Sequence, residues 1–140
     1  MVYLVVALGG ALGALARWAV GEALPSSPAG WPWPTLAVNL TGCLLIGFLL
    51  AVLLERFRTM TLLRPFLATG VLGGFTTYST FAVDVVRLAD AGAWAVAGGY
   101  VVASVLGGLL AVVGGLLLGR TAIRATATAD EELVAGEGRS

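Results

Sequence analysis

The residues able to do chemistry in this chain are almost all neutral. Gly70 to Phe81 reads GVLGGFTTYSTF: Gly73 and Gly74 are adjacent, and Thr76, Thr77, Ser79 and Thr80 follow with Phe75, Tyr78 and Phe81 interleaved. Asn39, Tyr100 and Ser104 are the other polar groups deep in apolar sequence. Hydroxyls and an amide donate hydrogen bonds, and the ring edges of Tyr78 and Phe81, three apart on one helix face, carry the positive end of the aromatic quadrupole. Such a lining could hold a small dehydrating anion without a fixed charge. Carbonyls released where paired glycines break a helix lie at the C-terminal end of a half-helix and suit a cation. Selectivity from neutral dipoles at close range is a channel strategy. The residues therefore point to an ion-conducting or ion-binding membrane protein without naming the ion. The competing structural reading is a kinked helix packed closely on a neighbour.

The elements that must position these groups are membrane spans. In 140 residues, 59% are apolar and only 11% charged, with a mean hydropathy of +0.96, against about 25% charged in soluble domains. A span needs about 20 mostly apolar residues, and the chain has room for four. No cleavable signal pattern is expected, because the first apolar run continues into a full span. There is no His, and the single Cys43 excludes an internal disulfide. The usual zinc and nucleophile constellations are missing, which argues against an enzyme. No basic cluster is present for nucleic acid.

The first span runs from about Val2 to Leu24, with Gly9 and Gly13 spaced for close helix approach. Arg17 near its end is either a snorkelling anchor or a positive charge at a vestibule. The loop PSSPAGWPWP cannot be helical, and its Trp31 and Trp33 suit the headgroup level. The second span, about Thr35 to Leu54, carries Asn39 as an interhelical hydrogen-bonding group or a pore-facing donor. Pro65 opens the third span, expected to break at Gly73-Gly74 and resume to about Val86, with Asp84 and Arg87 as an i,i+3 pair at its end. Broken backbone at membrane depth survives only when buried in protein or lining a wet cavity. The fourth span, about Trp94 to Gly119, holds glycine pairs at Gly107-Gly108 and Gly114-Gly115, a packing seam for a neighbouring helix or another subunit. The acidic segment from 120 to 140 is expected to be a disordered cytoplasmic tail on a 1–119 channel domain.

Four spans put both termini beside the Glu55–Arg64 loop. That side carries five arginines (Arg56, Arg58, Arg64, Arg120, Arg124, with distant Arg139 left out) against Arg17 and Arg87 on the other. The bias favours cytoplasmic termini in a multi-pass protein of the inner or plasma membrane, surrounded by lipid.

GGALGALARW at Gly9–Trp18, TLAVNLTGCLLIG at Thr35–Gly47 and above all GVLGGFTTYSTF resemble the CrcB/Fluc family of fluoride channels. The likeness covers nearly all of residues 1–119. It implies an all-α fold of four transmembrane helices, the third broken at mid-membrane, assembled as an antiparallel dimer with pores between subunits and passive efflux of fluoride. Carried over by position, backbone carbonyls of Gly73 and Thr76 would hold a structural sodium ion. Tyr78 and Phe81 would be the pore aromatics and Asn39 the pore amide, with Thr77, Ser79, Thr80, Tyr100 and Ser104 along the polar path and Arg17 at the vestibule.

This chain departs from the family pattern at Tyr78, usually Phe, at Gly108, often Ser, and at Trp33-Pro34 ahead of Thr35. An antiparallel homodimer needs nearly balanced charge, and five against two suggests a fixed orientation, so the dimer is either a homodimer or a pairing with an oppositely oriented paralogous subunit. Two rival readings are a small proton-coupled multidrug exporter, which needs a membrane-embedded carboxylate, and a non-conducting scaffold built on glycine seams.

Overall fold

The computed structural model describes residues 1–24, 30–55 and 61–137, with side chains described to Leu53 in the second helix and to Thr126 in the last. It is all helical, with no strand among the described residues. The elements are α1 (Val2–Ala23), α2 (Trp33–Glu55), a π-helical stretch Pro65–Leu72 that runs into the single turn α3 (Gly73–Phe75), then α4 (Tyr78–Asp90) and α5 (Trp94–Glu137). Four segments are long and apolar enough to cross a membrane: Val2–Ala23, Trp33–Leu53, Pro65–Asp90 and Trp94–Thr126. The protein is therefore a multi-pass membrane protein. Loop residues 25–29, which include two of the prolines expected to stop a helix, and Arg56 and Arg58 of the charge count lie outside the described residues.

Packing pairs the helices two by two. α2 runs along α5, and α1 runs along the first half of the third span. Glycines make both contacts possible. A Cβ on Gly47 would strike the Val112 carbonyl, and one on Gly115 would strike the Leu44 carbonyl, so the two backbones touch. The seam expected from Gly107-Gly108 and Gly114-Gly115 is thus filled by a helix of the same chain. Gly9 and Gly13 meet the backbone of Phe66, Gly70 and Val71 in the same way. The outward stripe Leu4, Leu8, Leu12 and Leu15 of α1 stays exposed, as a lipid-facing surface would.

The third span bends, but three residues later than its glycines predict. Gly73 is helical, with φ −65° and ψ −35°, and α3 continues through Gly74. Helical geometry is lost at Thr76 (φ −74°, ψ 157°) and Thr77 (φ −148°, ψ 116°). The expected break at Gly73-Gly74 is therefore corrected to Thr76-Thr77. Gly74 instead lets the turn sit on Gly10 of α1, where a Cβ would collide with backbone. Two β-branched residues tolerate extended backbone well, and the polar contacts described below satisfy what the bend releases.

α5 passes through Gly119, the expected end of the span, without interruption and reaches Glu137. At 44 residues and 1.5 Å per residue it is about 66 Å long, twice the hydrocarbon thickness of about 30 Å. Residues 120 onward are rich in Ala with no Pro or Gly before Gly136, so the helix continues past Gly119.

Candidate ion-conduction site

The bend is held by three kinds of contact. Asn39 of α2 clamps it from the side: its Nδ2 donates to the Thr77 carbonyl at 2.9 Å, and its Oδ1 accepts from the Thr77 N–H at 2.8 Å. Within the chain, Thr76 Oγ1 donates back to the Leu72 carbonyl at 2.9 Å. Thr77 is also the N-cap of α4, its Oγ1 accepting from Thr80 N–H at 3.1 Å and lying 2.9 Å from Thr80 Oγ1 and 3.2 Å from Ser79 Oγ. From α1, Arg17 Nε donates to the Gly74 carbonyl at 3.2 Å. Three of these contacts take backbone groups that the interrupted helix leaves without a partner, the N–H groups of Thr77 and Thr80 and the Gly74 carbonyl, while Thr76 Oγ1 shares the Leu72 carbonyl with its own N–H.

The two readings of Asn39 thus come together. It is an interhelical hydrogen-bonding group, and it stands in the wall of a cavity. Its amide keeps a second N–H, and the residue lines an open cavity of about 470 Å³ with Thr76, Thr77, Tyr78, Phe81 and Ser104. Gly73 and the thiol-bearing Cys43 line it too. No Asp, Glu, Lys or Arg is among its lining residues. The ring centroids of Tyr78 and Phe81 are 6.0 Å apart, tilted by 39°, so they share a face as their spacing predicts. Tyr78 is 81% exposed on this single chain.

Other expected residues stand elsewhere. Tyr100 is fully buried behind Phe81, with ring centroids 5.3 Å apart, and its hydroxyl has no hydrogen-bond partner. Arg17 and Thr80 line a second, smaller cavity of about 110 Å³ with Thr35 and Thr77. Thr77 is common to both cavities and stands between them. Ser79 is exposed at the start of α4.

The roles of Thr35 and of buried Asp84 are not expected from the sequence. Asp84 forms the expected pair with Arg87, Oδ1 to Nη2 at 3.2 Å, but it is only 7% exposed and also accepts the Thr35 hydroxyl at 2.6 Å. A carboxylate one turn from the end of a span was the available signal; its partner across 49 residues was not. Of the two tryptophans expected at headgroup level, Trp33 is exposed, while Trp31 packs edge-on against Tyr100 at 6.2 Å and lies over Gly99.

The bend can also offer carbonyl oxygens. The N–H that would close the helical bond to Gly73 belongs to Thr77, which is committed to Asn39. Thr76, with ψ 157°, turns its own carbonyl out of the helix. Among the described residues no group of three or more His, Cys, Asp or Glu could hold a metal. Carbonyl oxygens are ligands of the kind a hard cation takes.

Residues 4–116 match the family described as CrcB-like protein, Camphor Resistance (CrcB). The chain belongs to the CrcB family. CrcB relatives extend the match. A fluoride-specific ion channel FluC of Paracoccus denitrificans is 49% identical over 118 residues, covering 84% of this chain and 94% of that protein. FluC 1 of Mycolicibacterium paratuberculosis is 46% identical over 104 residues, 74% of this chain and 79% of the relative. FluC 2 of Nocardia farcinica is 44% identical over 112 residues, 80% of each. These CrcB relatives carry the names of channels, not of enzymes.

Proposed function

We propose that this CrcB protein is a fluoride-specific channel that lowers cytoplasmic fluoride by passive efflux. The observation that carries the reading is the uncharged cavity beside the bend, where an amide, hydroxyls and two aromatic edges converge. A small, strongly hydrated anion needs donors to replace its water. Fixed positive charge would hold it too tightly to pass, and neutral donors in series let it leave again. The second N–H of Asn39 and the hydroxyl of Ser104 supply conventional donors; Tyr78 and Phe81 supply ring edges. Thr77, reaching both cavities, hands the ion between them, and Arg17 raises the anion concentration at the smaller one. Tyr100 stands behind Phe81 with a spare hydroxyl.

The exposure of Tyr78 and Gly73 on the single chain supports an assembly that covers them. In our reading two subunits pair antiparallel, the bend lies at mid-membrane, and the termini face the cytoplasm. The charge bias supports a paralogous partner over a second copy, and relatives numbered FluC 1 and FluC 2 are consistent with paired genes. The carbonyls of Gly73 and Thr76 would hold a structural sodium ion, which would supply a fixed positive charge where two subunits meet. One chain provides two such oxygens, fewer than a hard cation takes, so the partner must complete the set.

Purified protein in liposomes tests the reading. Fluoride efflux with little chloride efflux is expected, from the chain alone or after co-expression with the paralogue. Robust efflux from the chain alone would remove the paralogue requirement; no fluoride efflux in either preparation would contradict the channel.

A further inference from the structure

The conducting route proposed above passes close to a buried carboxylate. Asp84 is 7% exposed and takes the hydroxyl of Thr35, which itself lines the smaller cavity with Arg17, Thr77 and Thr80. An unpaired negative charge at that place would repel any anion entering it, and repulsion in a partly desolvated site is far stronger than in water. Arg87 lies one turn along α4, with Nη2 3.2 Å from Asp84 Oδ1. Its side chain is 38% exposed and lines an outer groove of about 520 Å³ with Val83, Val86 and Asp90.

We infer that Arg87 is a positioning residue for anion conduction: it cancels the charge of Asp84 and so keeps the route past Thr35 open to anions. This rests on the channel reading. The contact is one of charge rather than of shape, because neither Nε nor Nη2 of Arg87 makes an aligned hydrogen bond. A bidentate fork would require Arg; a bare charge can be replaced by Lys. The other group bonded to the carboxylate is neutral, the Thr35 hydroxyl from α2. Arg17 from α1 lines the same cavity as Thr35, and its Nε is bonded to the Gly74 carbonyl. Arg87 is therefore the ion-paired counter-charge of Asp84.

The test is fluoride efflux from liposomes for the whole protein, with its partner if it needs one, comparing wild type, Arg87→Gln, Arg87→Lys and Asp84→Asn/Arg87→Gln. Arg87→Gln should slow efflux about tenfold, a modest value for one unscreened charge near an ion path. Arg87→Lys should stay within about threefold of wild type, and the double variant should conduct faster than Arg87→Gln. Arg87→Gln equal to wild type, Arg87→Lys as slow as Arg87→Gln, or a double variant no faster than the single would each overturn the inference. If Arg87→Gln does not fold, Arg87→Lys and the double variant still decide it. A thermal double-mutant cycle on Asp84 and Arg87 adds a readout independent of flux, and strictly additive shifts would remove the pairing itself. Wild type without efflux would contradict the channel reading instead, so the two failures are distinguishable.

Discussion

Two glycine-rich regions of this molecule do opposite things. Along the α2–α5 seam, Gly47 and Gly115 bring two unbroken helices into backbone contact. At the bend, Gly73 and Gly74 stay helical, and the chain turns at Thr76 and Thr77, where side chains can replace the lost backbone bonds. The comparison teaches that glycine permits approach, whereas an amide and hydroxyls in the right places permit a break. In a solvent that cannot hydrogen-bond, the second condition is the stricter one.

The largest effect expected from this contrast is at the seam. Gly115→Leu should abolish folded protein, because its first side-chain atom meets the Leu44 carbonyl and backbone cannot give way; gel filtration and thermal unfolding would show it. At the bend, Asn39→Ala removes both bonds to Thr77 and leaves its backbone N–H unpaired, while its carbonyl keeps the first intrahelical bond of α4. A loss of about 1–3 kcal/mol is expected in unfolding measurements. Thr77→Val keeps shape and extended preference but loses the cap on Thr80 N–H, at a cost of about 1 kcal/mol. The smallest effect belongs to Gly98→Ala. No atom lies within 4 Å of a Cβ there, so the gain in helix propensity should leave stability unchanged or raise it by up to about 1 kcal/mol. If Gly98→Ala harmed the protein as much as Gly115→Leu, the seam would not be where the contacts put it.

Most of the architecture was legible because a bilayer reduces the choices. Apolar runs of about 20 residues can only be spans, and Gly9, Gly13 and the α5 pairs marked the helix faces that touch. Asn39, Thr77, Tyr78, Phe81 and Ser104 were legible as a group because polar atoms in apolar sequence need a shared place, and they do line one cavity. The position of the bend was not legible, since propensity names glycine while the decisive contacts come from Asn39 and Arg17 on other helices. Neither was the Thr35–Asp84 bond, whose partners are 49 residues apart. Tyr100 was expected on the path, yet it stands behind Phe81, because the core formed by Leu36, Leu88 and Ala97 claims its ring.

The most direct measurement is fluoride efflux from liposomes by wild type and Asn39→Ala side by side, with chloride as the control and the paralogous subunit supplied if it is required. Fast, fluoride-selective efflux is expected from wild type, slowed about tenfold or more by Asn39→Ala, the equivalent of one good hydrogen bond. Wild-type rates from folded Asn39→Ala, or chloride leaving as fast as fluoride, would contradict it.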